Sequence, residues 1–376
     1  MGALQTLINY GEGNPNATVG EWKRAGDKVL GYWCSYIPPE IIYAAGALPY
    51  RVRGCGATGT DKADHDMSPV CNCSFPRAVL ELAHNGTYDY LDGIIGMNGC
   101  DHSRRAFELW VERLSPPFHH FVYVPRTQKK ASVQKYVDEL NKFKTILDKF
   151  FGAEINSEDL HESVALYNEN RGLLKKVQEL FKRDNPPITG TQRHHIVNAS
   201  VSIPPQELNR LLRELLEELA QMPPSADKKV RIMIAGWVGD DTLVHQAIED
   251  SGGVVVIDNC CFGARSFMDP LQYDPDQQME SIARSYLGRM SCPRMFASFS
   301  ERFGEIEQLA KEYNVDGIVH TRLQFCDLHG IENVFLNQRK GQMDIPLSST
   351  LVLDYIGQDE GRVRTRMEAF VEQIRG

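Results

Sequence analysis

A pattern that occurs twice limits the folds open to this chain more than any other feature of its sequence. Asp92-Gly93-Ile94-Ile95 is followed by Cys100-Asp101, and Asp316-Gly317-Ile318-Val319 is followed by Cys326-Asp327. In each copy, a short apolar run predicts a buried strand, and the cysteine comes just beyond the end of that run. Asp101 is also a good N-cap for an amphipathic helix. The two copies therefore indicate two halves of similar design that contribute to one site.

Strand and helix patterns alternate within each half. Strands are predicted at 28–37, 48–53, 90–97 and 121–124, and again at 230–235, 253–257 and 317–320. Strands separated by helices are typical of parallel sheets. Between the halves, apolar residues recur at helical spacing. The predicted fold is α/β, with two doubly wound, Rossmann-like (flavodoxin-like) parallel-sheet domains, 1–130 and 225–376, and an intervening helical domain, 131–224.

Composition narrows the class of protein. The net charge of −9 argues against a broad nucleic-acid surface. No apolar run approaches the ~18 residues of a membrane span, and the N-terminus lacks the apolar core of a signal peptide. The number of cysteines is nine, which is odd, and in a chain that looks cytosolic this disfavours a disulfide scaffold and leaves buried thiols or metal ligands. No CxxC pair occurs, which disfavours a zinc ribbon. We expect a cytoplasmic protein that binds neither nucleic acid nor a membrane.

Three cysteines are predicted at the edge where open α/β folds bind their ligands: Cys73, Cys100 and Cys326. Three thiolates can hold a [4Fe–4S] cluster and leave one iron for water, sulfide or substrate. Cys71 is an alternative to Cys73, since of two residues at alternating positions one faces away from the site. Small buried hydrophobes are the other interpretation of these cysteines. The adjacent pair Cys260 and Cys261 could also line the cleft, but beside Phe262 and the apolar strand 254–257 we predict core packing for them.

Several histidines lie near the predicted cleft. His65, His102 and His320 are candidates for proton transfer, although for any single one of them a surface or structurally bonded role is the favoured interpretation. His119-His120 and His194-His195 lack ligand spacing and are predicted at the surface. Arg104 and Arg105 either lie on a solvent-exposed helix face or attract an anionic ligand. The helix after Cys100 is expected to favour a thiolate.

Motifs across nearly the whole chain carry a resemblance to a known family. The chain resembles the D-component family shared by ATP-dependent benzoyl-CoA reductases and (R)-2-hydroxyacyl-CoA dehydratases. The resemblance rests on stretches that occur in the family's order: 31–49, Cys73-Ser-Phe-Pro-Arg77, Asp89 to Ile94, Cys100-Asp-His-Ser-Arg-Arg105, Tyr167-Asn-Glu-Asn-Arg171, Cys261-Phe-Gly-Ala-Arg265, Gln324-Phe-Cys-Asp327, and 354–357 with 365–370.

The resemblance implies a cofactor and partners. It implies that Cys73, Cys100 and Cys326 hold a [4Fe–4S] cluster. Cys71, just before Cys73, departs from the family pattern; it is an alternative ligand there, or a fourth ligand that would make this the relay subunit. It implies a heterodimer with a related D-component subunit and a separate ATP-hydrolysing iron–sulfur activator that supplies one low-potential electron. The chain itself has no P-loop motif.

Three functions fit this resemblance. We expect a subunit of a benzoyl-CoA reductase, which reduces the ring of an aromatic acyl-CoA. The alternative enzyme is an (R)-2-hydroxyacyl-CoA dehydratase, which removes water through a ketyl radical. A non-catalytic electron-relay subunit of the same fold is the third. His102 and His320 are the proposed proton-transfer residues, and the acyl-CoA is the substrate in both enzymes.

Overall fold

The computed structural model describes residues 2–222, 228–289, 292–296, 299–339, 345–348, 350–356 and 360–376. Within these ranges it contains two four-stranded sheets. The first is built from β1 (Lys28–Tyr32), β2 (Ala47–Arg51), β3 (Gly93–Met97) and β4 (His119–Val122). The second is built from β5 (Val230–Gly236), β6 (Gly253–Asn259), β7 (Gly317–Leu323) and β8 (Leu351–Leu353).

The two sheets have the same topology. The strand orders are β2-β1-β3-β4 and β6-β5-β7-β8, and every pairing is parallel. Each sheet is thus a doubly wound unit. The strand order reverses between β1 and β3 in the first sheet and between β5 and β7 in the second. This confirms the predicted α/β class with two Rossmann-like sheets. Ligands of such folds bind at this switch point, outside the carboxyl ends of the strands.

The repeated Asp-Gly pair has the same role in both sheets. Asp92 precedes β3, and its carboxylate accepts a hydrogen bond from the N–H of Val29 at 2.8 Å. Asp316 precedes β7 and accepts the equivalent bond from the N–H of Arg231, also at 2.8 Å. In each sheet the aspartate N–H returns a bond to the carbonyl of the same partner. The pair therefore fixes the register of the two central strands.

Helices cover both sheets. They are α1 (Ala3–Glu12), α2 (Ala17–Arg24), α3 (Pro39–Ala44), α4 (Asp61–Asp64), α5 (Ser74–His84), α6 (Asp101–Leu114), α7 (Lys130–Phe151), α8 (Ser157–Glu179), α9 (Gly190–Ser200), α10 (Pro205–Gln221), α11 (Leu243–Asp250), α12 (Gln278–Leu287), α13 (Phe299–Glu312), α14 (Asp327–Arg339) and α15 (Glu360–Arg375). Three short 3₁₀ helices lie at Leu180–Lys182, Ala264–Ser266 and Pro275–Gln277. Among the described helices, none is both long and apolar enough to cross a membrane.

The long helices α7 to α10 share their apolar cores with the sheets. Leu140 and Phe143 of α7 pack in one cluster with Ile95 of β3. Leu208 and Leu212 of α10 belong to another cluster, which also contains residues of β5 and β6. The helical segment therefore supports both sheets, and its division from them at 131 and 224 remains a prediction.

The first strand is shorter than predicted. It ends at Tyr32 rather than near residue 37, because the chain turns and the N–H of Ile37 donates to the carbonyl of Cys34 at 3.0 Å. Pro38 follows and has no N–H with which to continue a strand. The consequence is functional, because Cys34 lies beyond the carboxyl end of β1 instead of inside the sheet.

Candidate metal centre

A single cleft collects the residues that follow the central strands of both sheets. Trp33 and Cys34 come directly after β1, Cys100 follows β3, Trp237 follows β5 and Cys326 follows β7; all line the cleft. Its empty volume is about 850 Å³, including space open to solvent. That is in the upper range of pockets for small molecules and cofactors. The two switch points thus face the same space.

The two cysteines of the repeated pattern occupy equivalent positions. Cys100 lies three residues after β3 and is the N-cap of α6, and Cys326 lies three residues after β7 and immediately before α14. The N–H of Ser103 donates to the Cys100 sulfur at 3.4 Å. The backbone N–H of His329 interacts in the same way with the Cys326 sulfur. The unpaired N–H groups of a helix start therefore face each thiol.

Cys73 reaches the cleft from a third helix start. It is the N-cap of α5, and the side chain is buried. Its own N–H donates to Nδ1 of His102 at 3.3 Å. We call Cys73, Cys100 and Cys326 the first thiol set, because the structure brings all three to one cleft as predicted.

Burial governs the ionisation of these thiols. It raises the pKa of Cys73 well above its usual value, and the neighbouring Cys326 and Cys100 raise that pKa further. Burial also raises the pKa of Cys326 to about 12, despite the lowering effect of the His329 N–H. Without a bound metal, Cys73 and Cys326 are therefore protonated thiols at neutral pH. A metal would have to displace their protons on binding.

Three more cysteines line the same cleft: Cys34, Cys261 and Cys292. We call them the second thiol set. Cys34 follows β1, and Cys261 lies two residues beyond the end of β6. Sequence reasoning missed Cys34 because the strand at 28–37 was predicted too long, and for Cys261 it preferred the core over the cleft. That assignment fits its neighbour Cys260, which is buried in the core. A correct prediction of the end of β1 would have placed Cys34 at the cleft.

Arginines surround the second thiol set. Arg51 donates through Nη1 to the carbonyl of Cys261 at 2.7 Å, and Arg265 Nη1 lies 4.0 Å from the Cys261 sulfur. Arg294 is buried and lines the cleft beside Cys292. This side of the cleft therefore provides positive charge for an anionic group.

The remaining cysteines that were considered lie elsewhere. Cys71 is exposed and is absent from the cleft lining, so the structure separates it from Cys73. Cys55 is also outside the cleft; burial raises its pKa to about 11, and the nearby Asp240 adds to the rise. These two residues offer matched controls for the cleft thiols.

The predicted histidines have different surroundings. His102 contacts Cys73 as described, and its Nε2 lies 3.9 Å from Asp327 Oδ2. His320 is buried in β7 away from the cleft lining, and burial, with Arg322 and Arg265, lowers its pKa to about 4. His65 is exposed. The cleft lining contains His329 instead, which the sequence did not single out.

The predicted surface position of His194 and His195 is wrong, because α9 packs against β6 and buries both side chains. His194 Nδ1 and His245 Nε2 lie 3.9 and 3.6 Å from Asp258 Oδ2, and within the described chain these three residues place their donor atoms within 4.8 Å of one another. Arg193 Nη2 already donates to the same oxygen at 2.6 Å. A guanidinium therefore compensates this carboxylate.

His120, also predicted at the surface, is buried and stacks on Phe143.

The cleft sulfurs are spaced too widely for a single zinc ion, and their surroundings suit a polynuclear group. Two sulfurs bound to one zinc at ~2.3 Å cannot be more than about 4.6 Å apart. Neither thiol set, all of whose members are described residues, brings its three sulfurs within 4.8 Å of one another. Trp33 and Trp237, which line the cleft, bury indole N–H groups that have no partner among the described residues. Unpaired buried donors beside thiols fit a cluster whose sulfides accept hydrogen bonds.

Comparisons with known proteins find relatives over nearly the whole chain. A family model described as 2-hydroxyglutaryl-CoA dehydratase, D-component, matches residues 34–374. The chain is 24% identical to the beta subunit of (R)-2-hydroxyglutaryl-CoA dehydratase from Acidaminococcus fermentans, over 96% of each chain. It is 25% identical to the beta subunit of (R)-phenyllactyl-CoA dehydratase from Clostridium sporogenes, over 94% of this chain and 93% of the relative. It is also 25% identical to a benzoyl-CoA reductase subunit from Thauera aromatica, again over 94% and 93%.

Proposed function

The chain belongs to the 2-hydroxyglutaryl-CoA dehydratase D-component family, and from this premise we propose that it is an iron–sulfur subunit of an ATP-dependent enzyme acting on acyl-CoA thioesters. Of the activities in the family, we propose ring reduction of an aromatic acyl-CoA, as in benzoyl-CoA reductase. The first thiol set holds a [4Fe–4S] cluster in this proposal. We also propose that the protein works in the cytoplasm.

One observation carries the proposal. Three cysteines that are far apart in sequence line one cleft, and each of them lies at the start of a helix where backbone N–H groups face the sulfur. A scatter of core cysteines would not produce this repeated placement. Three thiolates are also a ligand set that leaves one iron of a four-iron cluster free of protein sulfur.

The chain's own residues define the chemistry of the cleft. When bound, a [4Fe–4S] cluster supplies one-electron transfer at low potential. The apolar lining, which includes Phe75, Met97 and Leu323, excludes water from the reacting thioester. His102 accepts the Cys73 N–H through Nδ1, so that its proton resides on Nε2 beside Asp327. We propose that this N–H is a proton source for the reduced substrate. For His320, proton transfer remains a prediction from sequence. Neither histidine is part of the cleft lining, and the contact of His102 with Cys73 makes His102 the better candidate.

Partner subunits are part of the proposal. Each of these relatives is described as one subunit of its enzyme, which supports a complex with a related D-component subunit. An exposed apolar patch on and before α14, formed by Phe325, Ile331, Val334 and Phe335, lies next to Cys326 and offers a surface for that partner. Because the sequence has no P-loop, we propose that a separate ATP-hydrolysing iron–sulfur activator delivers the electron.

The test of the cofactor is iron and sulfide content after anaerobic purification. Serine at each position of the first thiol set should remove a large share of both, because the ligand is lost. Serine at Cys55 and at Cys71 should leave them unchanged. If Cys71→Ser lowers iron content and Cys73→Ser does not, the ligand assignment is wrong.

The test of the reaction compares two substrates. The complex with its partner and activator is assayed anaerobically with benzoyl-CoA and with an (R)-2-hydroxyacyl-CoA. Ring reduction supports our proposal, whereas dehydration without ring reduction identifies a dehydratase subunit, which the two dehydratase relatives favour. Spectra of the cluster that do not respond to either substrate would support the third candidate, a non-catalytic relay subunit.

A further inference from the structure

We infer that the second thiol set, Cys34, Cys261 and Cys292, holds a second iron–sulfur cluster in the same cleft as the first. The inference goes beyond the proposed function, since it does not depend on the acyl group or on the reaction. It rests on the placement of the three residues, on the groups that face their sulfurs and on the charge around them.

The three thiols converge from separate segments of the chain. They follow β1, follow β6 and precede Pro293, yet all three line the cleft. Burial raises the pKa of Cys292 to about 12, and the neighbouring Cys261 and Cys34 contribute to the rise. The pKa of Cys34 is raised by burial and, to a smaller extent, by Cys261. The three sulfurs are therefore close enough to act on one another.

Backbone donors face the second set as they face the first. The backbone N–H of Tyr36 interacts with the Cys34 sulfur, and that of Arg294 interacts with the Cys292 sulfur. In both cases the donor is two residues beyond the cysteine, as Phe75 is beyond Cys73. A core cysteine that serves only as a small hydrophobe needs no such donor. At each of these positions the backbone N–H favours the thiolate.

The charge around the second set suits an anion. Three thiolates carry negative charge, and burying such charge requires compensation. Arg51 and Arg294 lower the pKa of Cys34, and Arg265 lowers that of Cys292, in each case against burial. All three guanidinium groups belong to residues close to the cleft wall on this side. The first set has Arg77 as the cation that acts on Cys73.

A single metal ion fits the second set poorly. Its sulfurs do not all lie within 4.8 Å of one another, whereas sulfurs on one zinc are at most about 4.6 Å apart. A disulfide would use two of the thiols and leave the third unpaired. A cluster binds each sulfur to a different iron. On binding, each thiol loses its proton to solvent as an iron–sulfur bond forms, and no electron is transferred in that step.

The experiment is anaerobic reconstitution of the full chain with equal amounts of ferrous and ferric iron and with sulfide. The inference predicts about eight irons per chain, against about four for one cluster. The triple variant C34S/C261S/C292S should bind about half of the wild-type iron and sulfide. The triple variant C73S/C100S/C326S should lose the other half. Single variants C55S and C71S should match the wild type.

These variants separate the two proposals. If C34S/C261S/C292S keeps all of the iron, the second cluster is refuted and the first stands. If C73S/C100S/C326S keeps all of it, the cofactor of the proposed function is refuted. Circular dichroism checks that each variant folds.

Discussion

Replacing Asp258 with asparagine should lower the stability of the folded chain. Asp258 lies near the end of β6, just before Cys260 and Cys261. The buried carboxylate accepts hydrogen bonds from Arg193 Nη2 at 2.6 Å and from the N–H of Ala264 at 2.8 Å. Asparagine retains an acceptor but leaves the buried guanidinium without its counterion. Removing one partner of a buried ion pair lowers the free energy of unfolding by about 3–5 kcal/mol. With ~2.1 cal/mol/K of unfolding entropy per residue over 376 residues, the Tm should fall by about 5 °C.

The matched control is Asp250→Asn. Asp250 pairs with Arg364 at 2.5 Å, but both side chains are about half exposed. An exposed pair contributes about 0–1 kcal/mol, so the control should unfold almost as the wild type does. Thermal and urea unfolding followed by circular dichroism measure both variants. The double variant R193M/D258N should lose less stability than the two single variants together, since it leaves no unpaired charge.

The stabilisation by the Asp258–Arg193 pair should also depend on pH. Although burial opposes ionisation, Arg193, with His194 and His245, holds the pKa of Asp258 well below its usual value. The stabilisation is therefore complete above the unfolded pKa of about 3.9 and is lost as pH falls toward the folded value. The difference between wild type and D258N should be constant near pH 7 and should shrink below about pH 4. A loss for D258N as small as that for D250N would refute the ion-pair reasoning.

Two further predictions concern a buried histidine and a glycine. Burial lowers the pKa of His320 to about 4, so the folded chain keeps this ring neutral while the unfolded chain binds a proton near pH 6.5; stability should fall as pH drops between these values. His320→Gln should reduce that slope in urea unfolding and His65→Gln should not, because His65 is exposed; equal slopes would count against the burial argument. Gly236→Ala should lower the free energy of unfolding by about 3 kcal/mol or more, since φ is +125° and a Cβ would lie 1.9 Å from the Thr321 carbonyl oxygen. Gly20→Ala, with no neighbour within 4 Å, should be neutral or stabilising, and similar Tm values for the two variants would contradict this reasoning.

Local patterns located seven of the eight described strands and placed the first thiol set beyond strand ends and near helix starts, but they did not predict β8 (Leu351–Leu353). The Asp-Gly pairs at 92 and 316 mark equivalent turns because their carboxylates bond to adjacent strands, a short-range effect that spacing reveals. The helix after Cys100 was predicted from its sequence, but its N-cap is Cys100 and not the predicted Asp101, and α5 begins at Ser74 without a side-chain cap. The same rules failed for the first strand, whose end depends on a turn at Cys34 that its apolar run concealed.

The sequence by itself determined the α/β class, the duplicated plan and the three cysteines that follow turns into helices, because these depend on residues within one or two turns of chain. Only the tertiary structure decided that Cys34, Cys261 and Cys292 share the cleft with them, that Cys71 does not, and that His194 is buried against β6. The physical reason is distance along the chain. Which side chains meet between two sheets depends on how the sheets and the covering helices pack, and no local pattern encodes that packing.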